Sequence, residues 1–397
     1  MPSTSKVRKP RWFQRHRRKT LLGMLVLTFV LGDLLLAQLY WWINGHNWPA
    51  GDVERTYRIQ HSVFHHGLAP NRSIDDARWG ARRYKLRTNS LGFKDSIVRA
   101  VPLRTDRHRI LFIGDSFTEG IGVEYEQTFV GRIAASLDKQ EIDVLNAAAS
   151  SYSPIIYQRK VSHLIEEVGL KVDEVVVYID ISDIADEVDR YALSGSRIVA
   201  ATLKERVAEW IKQNTVITFS ILNAVRSWSA SASQGASDQQ PDGAAPAGAS
   251  MPPALDAQKP AFNHPTAERR CAWTYNKAAL ADYGDRGLAK ARESMTKLAA
   301  LLAQRKIALT IAVYPWPDQV VSDPSPDSLQ VQVWRKWCAE HGARFINHFP
   351  QFAADTPPEK KEILDRYFIP GDAHWTEAGH ELIARQFLAE YQARLRE

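Results

Sequence analysis

The longest apolar run, Leu21 to Ile43, is broken chiefly by Thr28, Asp33 and Gln38 and by two glycines. Its length predicts one helix able to cross a bilayer core. Residues 44–108 are rich in Arg, His and aromatics and show no sustained period; within them Arg83 to Arg87 reads as a short strand, followed by a turn over Asn89, Ser90, Leu91, Gly92 and Phe93. From Arg109 short apolar runs alternate with amphipathic stretches, the pattern of parallel strands joined by crossover helices. Strands are expected at Arg109 to Ile113, Asp143 to Asn146, Glu174 to Ile179, Ala308 to Tyr314 and Arg344 to Ile346. Helices are expected at Glu126 to Leu137, Ile155 to Val168, Arg286 to Arg305, Leu329 to His341 and Thr376 to Leu395. The fold class that follows is α/β: a three-layer α/β/α domain with a mainly parallel sheet, preceded by one N-terminal transmembrane helix.

More than a hundred residues separate the third and fourth expected strands, longer than a crossover needs, so an insertion is placed at about 190–285. Its first part, about 200–228, carries Leu203, Val207, Trp210 and Ile211 at helical spacing. That spacing fits a helix packed on the core, the expectation here, or one lying on a membrane surface. Residues 229–262 are mostly Ser, Ala, Gly, Pro, Gln and Asp, too poor in large apolar side chains to offset the entropy of ordering, and are expected to form a disordered loop. The organisation is thus a basic tail over 1–19, an anchor over 20–43, an entry segment over 44–108 and a domain over 109–397.

The formal charge of +6 points toward nucleic acid until it is divided along the chain. Lys6, Arg8, Lys9, Arg11, Arg15, Arg17, Arg18 and Lys19 precede residue 20 with no acid among them. Without these eight, 43 basic residues face 45 acidic ones, a net of −2, and no nucleic-acid partner is expected. The basic run instead marks a cytoplasmic N-terminus beside the lipid bilayer, with Tyr40, Trp41, Trp42 and Trp48 at the opposite interface. A cleaved signal peptide would have a shorter apolar region ending in small residues, where Tyr40-Trp41-Trp42-Ile43 stands. Asp33 lies mid-span, where a charged carboxylate costs about 2.5 to 3.5 kcal/mol on insertion scales. It is protonated, bonded to a partner helix, or simply tolerated. Cys271 and Cys338 are the only cysteines; outside the cytoplasm they are free to form one bridge or to remain buried thiols.

The first expected strand of the domain runs into Gly114, Asp115, Ser116, Phe117, Thr118, Glu119 and Gly120. A serine there stands at the carboxyl end of a strand, where open α/β sheets form their binding crevices. Gly-Asp-Ser alone occurs by chance in roughly one chain of this length in ten, and a serine hydroxyl needs a base to become a nucleophile. A candidate base lies in the late segment Gly371, Asp372, Ala373, His374, Trp375, Thr376, where a carboxylate accompanies a histidine.

These two segments resemble the SGNH (GDSL-like) hydrolase superfamily over about residues 109–395. The resemblance implies a flavodoxin-like sheet and an ester-cleaving serine enzyme without cofactor or metal, with Ser116 as nucleophile, His374 as general base and then acid, and Asp372 as orienting carboxylate. The spacing of Asp372, His374, Trp375 and Thr376 is most similar to periplasmic proteins that O-acetylate alginate and related exopolysaccharides. It implies a single-pass protein of the bacterial inner membrane, its domain periplasmic, with an acylated glycan as substrate and other membrane proteins of an envelope assembly system as partners. Oxyanion donors are expected at Ser116, at Ser151, which takes the place of the family's glycine, and at Ser182, which takes the place of its asparagine. Asp115, Tyr314, Trp316 and Trp375 are substrate-binding candidates; Tyr314, Pro315, Trp316 and Pro317 suit either a sugar-binding wall or a rigid turn packed on the core.

His61, His65 and His66 lack an acidic residue at ligand spacing and are expected to be surface or packing histidines. Asp180, Asp183, Asp186, Glu187 and Asp189 are expected on a solvated loop or helix cap rather than around a cation. The leading function is an envelope O-acyl esterase or acyltransferase. A lipid esterase or thioesterase is a second reading, favoured by the anchor and the apolar segment near Trp210. A tethered, non-catalytic polysaccharide-assembly component is a third.

Overall fold

The computed structural model describes residues 16–44, 54–195, 197–222, 224–225, 269–323, 325–353, 356–394 and 396. The expected disordered loop at 229–262 lies outside them. The chain divides into two compact units, one formed by Met1–Pro49 with Leu203–Pro253 and the other by Ala50–Thr202 with Ala254–Glu397.

In the first unit, helix α1 spans Arg17–Asn44. Its stretch Arg17–Leu39 has a mean hydropathy of 2.2, and among the described residues this is the one helix long and apolar enough to cross a membrane. Most of its large side chains, such as Leu21, Leu25, Phe29 and Leu36, face outward.

The second unit is built on an eight-stranded sheet. Its strands are β3 (Ser73–Trp79), β4 (Arg82–Thr88), β5 (Lys94–Asp95), β6 (His108–Ile113), β7 (Ile142–Asn146), β8 (Glu174–Ile179), β11 (Ala308–Val313) and β12 (Arg344–Asn347). Two small hairpins lie apart from it, β1 (Arg58–His61) with β2 (His65–Leu68) and β9 (Tyr191–Ser194) with β10 (Arg197–Ala200). The sheet order is β12-β11-β8-β6-β7-β5-β4-β3, and the five strands from β12 to β7 are parallel. That is the 2-1-3-4-5 order of a doubly wound sheet, whose direction of winding reverses between β6 and β8. Every residue of β8 is buried and β6 is buried from Arg109 onward, as expected for strands covered on both faces.

The amphipathic stretches supply the covering helices. Those used below are α2 (Ser116–Glu119), α3 (Phe129–Asp138), α4 (Pro154–Glu166), α5 (Asp183–Asp189), α6 (Leu203–Asn214), α7 (Asp285–Gln304), α8 (Leu329–His341) and α9 (Glu377–Arg394). One face of each long helix packs on the sheet: Ile133 and Leu137 from α3, Val161 and Leu164 from α4, and Met295, Leu298 and Leu302 from α7 belong to one continuous core.

Three expectations need correction. The entry segment is not merely packed beside the domain, because β3, β4 and β5 extend the main sheet in antiparallel fashion, β5 pairing with β7 through Lys94 and Asn146. The α6 residues Leu203, Val207 and Trp210 are exposed rather than packed on a core. Finally, the acids Asp183, Asp186 and Glu187 on α5 are buried, not solvated. Their burial is sustained by partners far away in sequence: Tyr157 donates to Asp183, Arg270 to Asp186, and the Ser153 hydroxyl with the Ile155 N–H to Glu187, whose carboxyl burial pushes up to about 7. Cys271 and Cys338 are both buried, and no disulfide joins them.

Candidate active site

β6 ends at Ile113, and the chain turns through Gly114 and Asp115 into the single helical turn α2. A Cβ on Gly114 would lie 2.2 Å from Thr118 Oγ1 and 3.0 Å from the Tyr178 carbonyl oxygen, so only glycine lets the turn pack this closely on β8. The Asp115 side chain caps α2 by accepting the Phe117 N–H at 2.9 Å. Ser116 is thereby fixed as the first residue of the turn, where a backbone N–H has no partner within the helix. Gly120 closes it with φ 72°, a left-handed conformation suited to glycine.

The late segment meets this turn just before α9. His374 Nε2 lies 2.7 Å from Ser116 Oγ, and His374 Nδ1 lies 2.5 Å from Asp372 Oδ1. Asp372 Oδ1 also accepts the His374 backbone N–H at 3.1 Å, which ties the carboxylate to the residue it orients. Burial works against the Asp372 charge, yet the hydrogen bonds and charge of His374 hold its carboxyl at about 2. The carboxylate is therefore ionised at any pH where the chain would work. Phe117 packs against the His374 ring with centroids 4.8 Å apart, restricting its rotation.

A second donor to Asp372 comes from the entry segment, which the sequence did not connect with chemistry. Trp79 Nε1 donates to Asp372 Oδ2 at 2.5 Å, and its ring meets His374 edge-on at 5.1 Å. The same segment braces the Ser116 turn elsewhere. Lys94 Nζ donates to the carbonyls of Gly120 and Val123, and Arg82 donates to the Gly122 carbonyl and to Glu377. Arg58 meets buried Glu119 with two hydrogen bonds of 2.9 Å, and Glu119 in turn accepts the Ser150 N–H at 2.7 Å. Arg58 offsets the burial of Glu119 and keeps its carboxyl below the usual range. One carboxylate so joins the Ser116 turn to the loop that carries Ser151.

Trp79 is expected to position Asp372 rather than merely fill space. Trp79→Phe keeps the ring but removes the donor, and about tenfold should be lost in kcat, in line with about 1.5 kcal/mol for a hydrogen bond to a charged group, with KM little changed. A carboxylate that has lost a donor holds the imidazolium proton harder, so the acid limb of the kcat/KM profile should move to higher pH. A pH–rate series on an activated ester checks this; an unmoved limb would reduce Trp79 to packing.

Ser151 adopts φ 64°, in the left-handed region that favours glycine, and its carbonyl accepts the Tyr191 hydroxyl at 2.6 Å. Ser182 follows β8, across the reversal point from Ser116, and its hydroxyl oxygen accepts Arg270 Nη2 at 2.7 Å. The same guanidinium group reaches Asp186 at 2.8 Å and lies over the Trp316 ring. Arg270 carries no sequence signal, because it lies in the long insertion and its hydrogen-bond partners Ser182 and Asp186 are more than eighty residues away.

The substrate-binding candidates are placed differently from the expectation. Tyr314 and Trp375 are 0% exposed and pack on Phe117 and on each other, so neither presents a ring face to a sugar. Trp316, 5% exposed, donates its indole N–H to Asp180 at 2.6 Å, and Asp115 is buried beside Ser116. These four residues support the turn from below. Asp115, Asp180 and Asp183 bring carboxylate oxygens within 4.8 Å of one another. Burial first, and the neighbouring Asp180 next, raise Asp115 and Asp183 well above the usual carboxylate range, so protons rather than charges are shared there. Of the histidines, His65 and His66 face each other through their Nδ1 atoms at 2.8 Å, His66 Nε2 meets the Ser150 carbonyl, and His61 stacks on Phe64.

A scan against family models and a search of curated proteins found no match. Among solved structures, an esterase from Pseudoalteromonas sp. is 11% identical with a TM-score of 0.36, covering 73% of this chain and 100% of its own. A lipase/acylhydrolase from Enterococcus faecalis is 13% identical with a TM-score of 0.36, covering 72% and 97%. An acetyl-xylooligosaccharide esterase from Geobacillus stearmophilus is 14% identical with a TM-score of 0.34, covering 71% and 93%. Likeness at this level assigns neither family nor substrate, and function has to be read from the geometry of the site itself.

Proposed function

We propose that this chain is a membrane-anchored serine esterase or O-acyltransferase acting on acyl esters, most simply acetyl esters, of a cell-envelope glycan or exopolysaccharide. The observation that carries the reading is the unbroken hydrogen-bonded line from Asp372 through His374 to Ser116 Oγ. In the proposed reaction Ser116 Oγ attacks the ester carbonyl carbon while His374 Nε2 takes its proton, and Asp372 holds the imidazolium that results. The bond to the alcohol oxygen then breaks, His374 protonates that oxygen, and the acyl group stays on Ser116. Water or a sugar hydroxyl next gives its proton to His374 and attacks the acyl carbon, and the proton returns to Ser116 as the product leaves.

The backbone N–H groups of Ser116 and Ser151 and the Ser182 hydroxyl are the oxyanion donors in this reading. A lone serine hydroxyl in place of an asparagine amide is free to rotate away. Here Arg270 occupies its oxygen and leaves its proton for another acceptor. The glycan part of the reading rests on the spacing of Asp372, His374 and Trp375, and the anchor on the length and hydropathy of α1. Detergent-purified full-length protein is expected to cleave p-nitrophenyl acetate at least ten times more efficiently, in kcat/KM, than the octanoyl ester, and to release or transfer acetate from an acetylated oligosaccharide. Efficiency that climbs with acyl length would overturn the glycan reading in favour of a lipid esterase.

A further inference from the structure

The Asp33 carboxylate, in the middle of α1, is only 2% exposed. Its Oδ1 accepts the backbone N–H groups of Val216 and Ile217 at 2.9 and 2.8 Å, and its Oδ2 accepts the N–H and hydroxyl of Thr218 at 2.9 and 2.6 Å. These donors are the first amides of a helical stretch that begins at Ile217, in the same compact unit as α1. Such amides have no partner within their own helix and favour a negative charge. A mid-span carboxylate and the amides at a helix start thus satisfy each other.

The depth of this contact has a consequence. At about 1.5 Å per residue, Asp33 lies about 16 Å along α1 from Asn44 and about 20 Å from Thr20, within a hydrocarbon core about 30 Å thick if α1 spans it. Residues 216–218 must then lie at that depth too. From Val216 to Val225 there is no charged residue, and Ile217, Ile221, Leu222 and Val225 point outward. On α6, just before, Leu203, Val207 and Trp210 also face outward, among the charged residues Lys204, Glu205, Arg206, Glu209 and Lys212. Outward apolar faces continuous with a membrane span fit lipid, and a polar backbone at that depth is admissible only as helix with its free ends capped.

We propose that the helical stretch over residues 216–222 is a second membrane-embedded segment, held on α1 by Asp33, whose apolar face is covered by the acyl chains of the bilayer. The inference rests on the reading of α1 as a membrane span. The catalytic unit would then be tied to the membrane by its insertion as well as by its N-terminal anchor, since only Ala201 and Thr202 separate β10 from α6.

Single cysteines at Ile221, Leu25 and Lys361, in full-length protein reconstituted into phosphatidylcholine/phosphatidylglycerol vesicles, test this with a membrane-impermeant maleimide before and after SDS. Lys361, 75% exposed, reports an aqueous position. Ile221→Cys and Leu25→Cys are expected to label at least tenfold more slowly than Lys361→Cys until SDS is added. Adding Asp33→Leu should speed Ile221→Cys at least fivefold and leave Leu25→Cys protected. Fast labelling of Ile221→Cys beside protected Leu25→Cys overturns the second segment while the span stands; fast labelling of both overturns the span and the segment with it. Protection of Ile221→Cys in native membranes but not in vesicles overturns lipid as the occupant in favour of a partner protein. Protection that survives Asp33→Leu overturns the role given to Asp33.

Discussion

Ser116→Ala is expected to reduce turnover of p-nitrophenyl acetate to background, a loss on the order of 10⁶-fold if this serine carries the covalent step as a protease nucleophile does. Among the described residues, Ser116 Oγ has two side-chain neighbours within hydrogen-bond distance, His374 Nε2 at 2.7 Å and Asp115 Oδ2 at 3.3 Å. The Asp115 cap on Phe117 and the Gly120 closure of the turn do not involve it. Removing one hydroxyl should therefore cost about 1 kcal/mol of stability or less and leave Tm within a few degrees. A fluorophosphonate probe, which reacts with an activated serine, should label wild type and fail to label Ser116→Ala or His374→Ala. Equal labelling of all three, with folded variants verified by circular dichroism, would remove the activated serine and with it the proposed enzyme.

The parts of this molecule legible in the sequence are those governed by short periods. The strand Glu174–Ile179 is apolar after its first residue, Ala308–Val313 is interrupted by Thr310 alone, and the buried residues of α8 and α9 recur at helical spacing, so the positions of these elements follow from burial. The chemistry-bearing segments were legible because each sits beside such an element, Ser116 directly after β6 and His374 directly before α9. In β3 the alternation fails because the register shifts between Ile74 and Ala77, and its sequence offers two adjacent aspartates where an inward residue is sought. What remained hidden depends on partners distant in the chain. Trp79 meets Asp372 across 293 positions, Arg270 meets Ser182 across 88, and Asp33 meets Thr218 across 185. No local pattern announces such a pair. The buried acids of α5 are hidden for the same reason: a run of carboxylates reads as solvated until Tyr157, Ser153 and Arg270 are brought to it.

Those distant partners also explain why Asp372→Asn is expected to be far more damaging than its size implies, lowering kcat by about 10⁴-fold with little change in KM, as the corresponding change does in a serine protease. Asp372 accepts on both oxygens: Trp79 Nε1 on Oδ2, and the ring and backbone of His374 on Oδ1. An asparagine has one accepting oxygen and one donating NH₂ group, so it cannot receive all three donors. If its oxygen faces His374, the NH₂ group confronts the Trp79 N–H, two donors pressed together in a half-buried place. If its oxygen faces Trp79, the NH₂ group donates to His374 Nδ1, and the imidazole then carries its proton on Nε2, toward Ser116. A ring in that tautomer has no lone pair with which to take the serine proton. Pairing Asp372→Asn with Trp79→Phe separates these alternatives. If the clash with Trp79 drives the misorientation, the double variant recovers part of the activity lost by Asp372→Asn alone. If both enzymes turn over equally slowly while ¹⁵N spectra show Nε2 protonated, the tautomer accounts for the loss. An Asp372→Asn enzyme within tenfold of wild type in kcat would show that the short contact between Asp372 and His374 is not used in catalysis.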